Sequence, residues 1–229
     1  LFLSEINIFP VKSLSGYSPD EAIVEKRGLQ FDRRWMLINE FNDFMTQRDY
    51  PQMTLLRAIV KDHNLILSLK NNPSEQFIIP IDSYSTQTIN VPIWDDRCDA
   101  NVVSKEADEW LSNFLNVKCR LVFMTDKVER LVDNNYTQQK EIVSFADAFP
   151  FLLIGQASLD ELNSKMETSL PMNRFRTNFV CTGSEAFEED SWNKFKIGEL
   201  VFQAVKPCAR CVITTTDQET AERAHEPLK

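Results

Sequence analysis

The sequence is poor in glycine and histidine. Its 229 residues include five Gly and two His. It contains no Walker loop, dinucleotide fingerprint or nucleophile elbow, the motifs that depend on closely spaced glycines or on an elbow serine. Ser–His–Asp chemistry is disfavoured as well, because His63 lies in a turn-like segment and His225 lies near the end of the chain. We assign neither histidine a role.

Positive charge is also scarce. The chain has 25 Lys and Arg against 34 Asp and Glu, a formal net charge of -9. A protein that binds duplex nucleic acid needs a basic face to neutralise phosphates, so this class of partner is disfavoured. The balance is still compatible with a local basic pocket.

Long apolar runs are absent. No run approaches the ~18 residues of a membrane helix, so we expect no transmembrane segment in this chain. Glu5 and Asn7 interrupt the apolar start, which therefore does not resemble a signal peptide. The sequence begins with Leu1. An upstream membrane or organelle signal is therefore left open. A truncated C-terminus is left open as well, because the last residues, RAHEPLK, carry no stop signal of their own.

The five cysteines are odd in number and scattered along the chain. This pattern is not that of a disulfide framework, so a reducing compartment is expected. We predict a cytoplasmic location of the bacterial type.

The first half of the chain has the pattern of a β domain. Segments of about six residues, rich in β-branched and aromatic side chains, alternate with turn-forming residues. These segments are INIFPV, EAIVEK, RRWMLIN, LLRAIVK, NLILSL, QFIIPI and TINVPIW. Residues 1–123 are predicted to form a mostly antiparallel, barrel-like domain that closes with a helix capped by Ser104.

The second half, residues 124–229, is predicted to be a second β-rich domain packed on the first. It begins with TDKVERLVDNNYTQQKE, which we expect to be an exposed connector. FPFLLIG predicts a buried strand, and SLDELNSKM a helix with a capping box of Ser158 and Glu161. RTNFVCTG and ELVFQAVK predict strands. The fold class is mixed, mainly β with a few helices (α+β).

Two cysteines, Cys208 and Cys211, lie close together in KPCARCVITTTD. A redox dithiol needs a helix N-terminus, whereas the β-branched run 212–216 predicts extended chain. A structural zinc site needs four ligands, and only Cys181 and His225 could complete it, neither at finger spacing.

Two interpretations of the pair remain. The cysteines are small, half-buried structural residues, or one of them is a thiolate that binds a soft metal beside Lys206 and Arg210.

Basic residues enter otherwise apolar segments at three places: Lys12 and Ser13 in PVKSLSG, Arg33 and Arg34 in FDRRWML, and Arg174, Arg176 and Asn178 in NRFRTNF. Together they are suited to an anion pocket, since guanidinium groups fork onto phosphate or carboxylate oxygens. The alternative is that each marks the wet face of a half-buried strand. A weaker signal is Arg48 in TQRDYPQM, which lines either a cleft or an ordinary turn.

The motifs NIFPVKSLSG, GLQFDRRWMLIN, MTQRDYPQM, NRFRTNFV, FEEDSWNKFKIGEL and KPCARCVITTTD occur in one order. Together they resemble the MOSC family, specifically its two-part members with an N-terminal β-barrel domain. These members include the mitochondrial amidoxime-reducing components and their bacterial relatives. The resemblance runs from about residue 3 to the last residue.

The resemblance implies a molybdenum-pterin cofactor bound through one thiolate. Matching CARC to the family's C-x-R-C loop makes Cys211 the metal ligand and Cys208 a neighbour, with Arg210 beside the ligand in a catalytic role. The implied cofactor-binding positions, between the domains, are Lys12, Ser13, Arg33, Asp147, Arg176, Asn178 and Arg210.

The implied reaction is two-electron reduction of small N-hydroxylated compounds (amidoximes, hydroxylamines, N-hydroxylated bases) to amines and water. No iron–sulfur spacing is present, so electrons would come from a separate protein: a flavin reductase, a ferredoxin, or a haem protein with its reductase. The alternative is a non-catalytic carrier of the molybdenum cofactor or its sulfur, like the C-terminal domain of molybdenum cofactor sulfurase. The sulfurase half of that protein uses a pyridoxal-phosphate domain, so pyridoxal phosphate binding is only a family-level label here.

Overall fold

In the computed structural model of the chain, residues 1–137 and 139–227 are described. Gln138 in the predicted connector and Leu228 and Lys229 at the end of the predicted second domain lie outside them.

Strands dominate the described residues, as the predicted fold class requires. In chain order the strands are β1 Phe2–Ile6, β2 Val24–Glu25, β3 Gly28–Leu29, β4 Trp35–Asn39, β5 Leu56–Lys61, β6 Asn64–Leu69, β7 Gln76–Pro80, β8 Thr88–Ile93, β9 Asp96–Val102, β10 Cys119–Phe123, β11 Leu153–Gly155, β12 Phe179–Thr182, β13 Lys194–Ile197 and β14 Leu200–Gln203. The α-helices are α1 Lys105–Leu115 and α2 Gln156–Asn163. Short 3-10 helices span Pro51–Leu55, Met172–Phe175, Glu188–Ser191 and Val212–Thr215.

Two antiparallel sheets build the barrel-like first half. One has the strand order β4-β10-β9-β8 and the other β5-β6-β7. Side chains alternate along β4, so Trp35 and Leu37 join the core between the sheets and α1, whereas Met36 and Ile38 face a second core. Phe145, from the second half of the chain, completes that second core. Strand β4 is therefore buried on both faces of the sheet.

The segment that carries Lys12 and Ser13 joins these two sheets. Val11 bridges to Trp35 in β4, and Ser15 bridges to Arg57 in β5. The backbone N–H of Lys12 donates to Trp35 O at 2.8 Å. Residues 11–15 thereby close the gap between the sheets and bring the first basic motif to the edge of the barrel.

Local chemistry explains the elements that the sequence pattern identifies well. Buried and half-buried positions alternate along β6, as its pattern predicts. Asp62 and His63 both have positive φ, which suits the two-residue turn between β5 and β6. Ser104 caps α1 by accepting from Ala107 N at 3.1 Å, which confirms the predicted cap.

The start of the chain belongs to the sheet of the second half. Strand β1 pairs antiparallel with β12, and β12 pairs parallel with β11. The predicted domain division at residue 123 stays a prediction, but the first strand crosses it. This pairing links the two halves through backbone hydrogen bonds.

Several sequence predictions differ from the fold. The strand β9, DRCDANV, is too polar for its alternation to predict a strand. EAIVEK contributes only the two-residue β2. The capping box of Ser158 is wrong, because α2 begins after Gly155 and the Ser158 hydroxyl donates to Glu189 Oε1 at 2.6 Å.

None of the described residues belongs to a helix with the length and apolar character needed to span a bilayer.

At Gly16 the backbone passes close to the backbone of Ile8, and a substitution at this position tests that approach. A Cβ at Gly16 would lie 2.0 Å from Ile8 O, inside the Ile8–Tyr17 bridge. We expect Gly16→Ala to lower the free energy of unfolding by about 3 kcal/mol, because overpacked backbone has to move. Urea denaturation followed by tryptophan fluorescence measures this.

Gly198→Ala is the matched control, since a Cβ there meets nothing within 4 Å and φ is +57°. Its left-handed backbone should cost only about 1 kcal/mol. Equal losses in the two variants would contradict the steric explanation.

Candidate functional site

The Cys211 thiol lies at the start of a single 3-10 turn, Val212–Thr215. The turn is held by threonine hydroxyls: Thr214 Oγ1 donates to Cys211 O at 2.9 Å, and Thr215 Oγ1 to Val212 O at 2.7 Å. These hydrogen bonds offset the weak helix propensity of β-branched residues. The extended chain predicted for this run is therefore wrong.

Arg48 is the cation that contacts this thiol. Its Nη2 donates to Cys211 Sγ at 3.3 Å and lies 3.6 Å from Asp147 Oδ2. Its guanidinium carbon lies over the Trp94 ring, 4.5 Å from the centroid. A carboxylate and an aromatic face together hold the guanidinium in place. An anionic sulfur at this position meets a fixed positive charge.

Lys12 approaches the same carboxylate from the barrel. It is buried, and its Nζ donates to Phe145 O at 2.8 Å and to Asp147 Oδ1 at 2.5 Å. Burial lowers the pKa of Lys12, and Asp147 opposes that shift. Desolvation acts to raise the pKa of Asp147, but Lys12 and Arg48 outweigh it and hold this pKa well below its ordinary value. Asp147 is thus an anion held between two cations.

A buried arginine holds the segment that carries Asp147. Arg130 is 5% exposed and donates to the carbonyls of Ser144 at 3.0 Å, Ala146 at 2.5 Å and Asp147 at 2.8 Å. Asp96 accepts from Arg130 Nε at 2.9 Å. The predicted exposed connector is wrong at this residue. Arg130 donates to backbone carbonyls and in this way positions the Asp147 carboxylate.

Arg33 and Arg176 come together from the two halves of the chain. Arg33 Nη2 donates to Arg176 O, and Arg33 Nη1 donates to Asn178 Oδ1, both at 3.1 Å. Both guanidinium carbons lie over the Phe9 ring, 4.6 and 4.4 Å from its centroid. Buried Asp32 accepts from Arg33 Nη1 at 2.5 Å. One aromatic ring and one carboxylate therefore support two neighbouring cations.

Some buried guanidinium nitrogens around this cluster find no partner among the described residues: Arg174 Nε and Nη1, Arg176 Nη1 and Arg210 Nε. Each unpaired buried donor costs about 1–3 kcal/mol. Burial, and after it Arg33, lowers the pKa of Arg176 to about 9. A bound anion would pair such donors and favour the charged guanidinium. Donors of this kind are therefore suited to an anionic ligand.

The two cysteines of the CARC segment contact different cations. Arg210 Nη1 lies 3.4 Å from Cys208 Sγ, whereas Arg48 contacts Cys211. Arg210 Nη2 also donates to Phe175 O at 2.8 Å, next to Arg176 in the chain. Cys208 is exposed and Cys211 is half-buried. The pair is therefore unequal in its surroundings.

The described residues form neither a disulfide nor a structural zinc site at the cysteines. All five cysteines are free thiols, so 208 and 211 do not form a disulfide. Within residues 1–137 and 139–227, no group of three or more His, Cys, Asp or Glu side chains could hold a metal ion. A structural zinc site needs four such ligands.

The structure brings the residues singled out in the sequence into two linked groups. One joins Cys211 through Arg48 and Asp147 to Lys12, with Ser13 next along the chain. The other joins Arg33, Asn178, Arg176 and Arg210 around Phe9 and Phe175. Their roles as ligands stay predictions.

The sequence carries only a weak signal for the role of Arg48 and none for Trp94 or Arg130. Arg48 had one weak signal, its place beside a turn. Trp94 sits at the β8–β9 turn with φ of 54°, and the sequence shows nothing that links it to a thiol far along the chain.

Asp147→Asn should lower the free energy of unfolding at neutral pH, because Lys12 and Arg48 lose the anion between them. The folded pKa lies below the unfolded value of ~3.9, so this stabilisation is complete above the unfolded pKa and is lost as pH falls. The difference in free energy of unfolding between wild type and Asp147→Asn should be constant from about pH 5 to 8 and should shrink below about pH 4.

Urea titrations across this range measure the effect, with exposed Asp20→Asn as the control. If the difference in free energy of unfolding did not change with pH, the negative charge of Asp147 would not be what stabilises the fold.

Comparison with known proteins matches both halves. The MOSC N-terminal beta barrel domain matches residues 1–118, and the MOSC domain matches residues 140–229. Mitochondrial amidoxime-reducing component 1 of Mus musculus is 32% identical, over 99% of this chain and 69% of that protein. Mitochondrial amidoxime reducing component 2 of Bos taurus is 31% identical, over 95% and 67%.

Molybdenum cofactor sulfurase of Danio rerio is 31% identical, over 99% of this chain and 30% of that protein. The predicted family resemblance is confirmed. The chain belongs to the MOSC family, with an N-terminal MOSC barrel domain and a MOSC domain, and is related to amidoxime-reducing components and molybdenum cofactor sulfurases.

Proposed function

We propose that this chain binds the molybdenum cofactor and reduces small N-hydroxylated compounds, such as amidoximes, hydroxylamines and N-hydroxylated bases, to amines. The observation that carries the proposal is the half-buried Cys211 thiol beside clustered cations with unpaired buried donors. When bound, the cofactor supplies the two-electron chemistry that N–O reduction requires.

Each site residue has a role in this proposal. Cys211 is the protein ligand, because a thiolate is a soft ligand suited to such a metal. Arg176 and Arg210, which have unpaired donors, would bind the cofactor's phosphate, as planar guanidinium groups are suited to do. The remaining phosphate-binding positions are Lys12, Ser13, Arg33 and Asn178.

Charge balance is the role of Asp147. Without an anion between them, Lys12 and Arg48 would repel each other beside the thiol. Because its pKa is held low, Asp147 stays ionised at neutral pH and does not act as a proton donor there. It keeps two cations in place whether or not the phosphate is bound.

Electrons are proposed to come from a separate protein: a flavin reductase, a ferredoxin, or a haem protein with its reductase. Free thiols at all five cysteines suit a reducing compartment such as the cytoplasm.

The second candidate function is a non-catalytic carrier of the molybdenum cofactor or its sulfur. It is favoured by the relation to molybdenum cofactor sulfurase, which extends over 99% of this chain. Both candidates use the same thiol and phosphate-binding cations, so only turnover separates them.

Metal and pterin analysis tests both candidates. Purified protein should hold about one molybdenum per chain and release a fluorescent pterin after acid oxidation, since one thiolate ligates one metal. With an artificial electron donor it should reduce benzamidoxime. Molybdenum without reduction would favour the carrier, and zinc without pterin would contradict both functions.

Substitution of the two cysteines tests the choice of ligand. Cys211→Ser should lower benzamidoxime reduction by at least about 100-fold, because loss of a ligand exceeds the usual effect of its supporting residues. Cys208→Ser, the matched control, should keep activity, since this exposed thiol does not contact the Arg48 cluster. The reverse pattern would make Cys208 the ligand.

A further inference from the structure

Two glutamines form a buried pair between distant parts of the chain. Gln47 and Gln218 are 0% and 3% exposed. Gln47 Nε2 donates to Gln218 Oε1 at 3.3 Å, and Gln218 Nε2 donates to Gln47 Oε1 at 3.1 Å. Burying a primary amide is costly unless its hydrogen bonds are replaced, and here each amide satisfies the other.

The same two side chains bind backbone on either side of the site. Gln47 Nε2 also donates to Ser13 O at 2.8 Å, in the segment that joins the two barrel sheets. Gln218 Nε2 donates to Thr216 O at 3.2 Å, directly after the 3-10 turn that follows Cys211. The pair therefore connects the proposed phosphate-binding segment to the thiol-bearing segment.

Further contacts reinforce this connection. Arg223 Nη2 donates to Gln47 O at 2.8 Å and also to Arg48 O. Lys70 Nζ donates to Gln218 O at 2.6 Å. Arg48 is the neighbour of Gln47 in the chain, so its backbone is held from the side of the C-terminal segment.

Tertiary structure has to set the contact between Arg48 and Cys211, and Asp147 and Trp94 restrain only the guanidinium end of Arg48. The two residues are separated by 163 positions, so no local turn sets their distance. A functional contact has to be held within about 0.5 Å, and long side chains alone do not achieve this.

We propose that Gln47 and Gln218 are positioning residues that hold Arg48 against the Cys211 thiol. The assignment rests on the proposed function in taking Cys211 as the metal-binding thiolate. The contact itself is measurable in protein without cofactor.

The test follows the reaction of Cys211 with 4,4′-dithiodipyridine at one pH, in cofactor-free protein that carries Cys208→Ser. The other three cysteines are buried, so Cys211 dominates the signal. The reaction rate of Cys211 in the Arg48→Ala variant is the reference for a thiol without its guanidinium neighbour. In the same Cys208→Ser background, Gln218→Leu should change the reaction rate of Cys211 about fivefold toward the Arg48→Ala rate, the effect of a contact of ordinary strength.

A double-mutant cycle shows whether the pair acts through Arg48. If it does, adding Gln218→Leu to Arg48→Ala leaves the rate unchanged, because the contact is already gone. Additive effects of the two substitutions would overturn the proposal.

Asn163→Ala is the control for general loosening. Asn163 makes two side-chain hydrogen bonds to the backbone of Leu170 and none to Arg48, Cys211 or the glutamine pair. This variant should unfold at a lower temperature but keep the wild-type thiol rate. A shift as large as that of Gln218→Leu would mean that any destabilisation moves the thiol, and the positioning role would be wrong.

The combined variant Gln47→Leu/Gln218→Leu separates stability from positioning. Two leucines replace both amides, so the unfolding temperature should recover in part relative to either single variant. The reaction rate of Cys211 should stay as changed as in Gln218→Leu. A return of this rate to the value without glutamine substitutions would overturn the proposal. If the leucine variants do not fold, Gln218→Asn replaces them, because it shortens the side chain but keeps the amide. The same comparison of Cys211 reaction rates then tests the proposal.

Cofactor content is the second readout. Purified glutamine variants should hold less molybdenum and pterin than Asn163→Ala, and equal content would contradict the proposal. If wild type itself holds no molybdenum, the proposed function fails, while the thiol-rate cycle still decides whether the pair positions Arg48.

Discussion

Mutual repulsion among clustered cations is the constraint on which this structure depends. Cationic side chains gather where the two halves of the chain meet: Lys12, Arg33, Arg48, Arg176 and Arg210. Two unit charges 4 Å apart interact by about 4 kcal/mol near a protein surface, so the cluster needs compensation. Asp32 and Asp147 supply negative charge, and the rings of Phe9, Trp94 and Phe175 supply the faces over which the guanidinium groups lie. The buried donors that remain unpaired account for the fit to an anionic ligand.

The fold meets this constraint by anchoring each cation to rigid structure. Residues 11–15 bridge both barrel sheets, and strand β1 just before them pairs with β12 of the second half. Arg130 fixes the carbonyls around Asp147, and Phe145 in the same segment is packed in the second core of the barrel. Side chains held in this way lose little further freedom when a ligand binds, which is the basis of preorganisation.

Prediction from sequence succeeded where local chemistry decides the structure. Alternation along β6 and the Ser104 cap of α1 depend on neighbours in the chain, and both are found as predicted. It failed where distant groups decide. Strand β9 is polar yet lies between β10 and β8. The run after Cys211 is an exception, because there the missed hydrogen bonds are local: threonine hydroxyls donate to carbonyls three residues earlier and close a 3-10 turn. Arg130 is buried despite its polar segment, because carbonyls and Asp96 meet all sides of its guanidinium.

The sequence by itself determined the mainly β fold class, the inventory of basic motifs and cysteines, and the family, because motif order and side-chain periodicity are properties of the chain. Only the tertiary structure decided that Arg48 contacts Cys211 while Arg210 contacts Cys208, that Asp147 lies between two cations, and that Gln47 meets Gln218. Apart from the contact between Arg210 and Cys208, these contacts join residues that are 99 or more positions apart in the chain. Their energies depend on burial and distance, which no local pattern in the sequence encodes.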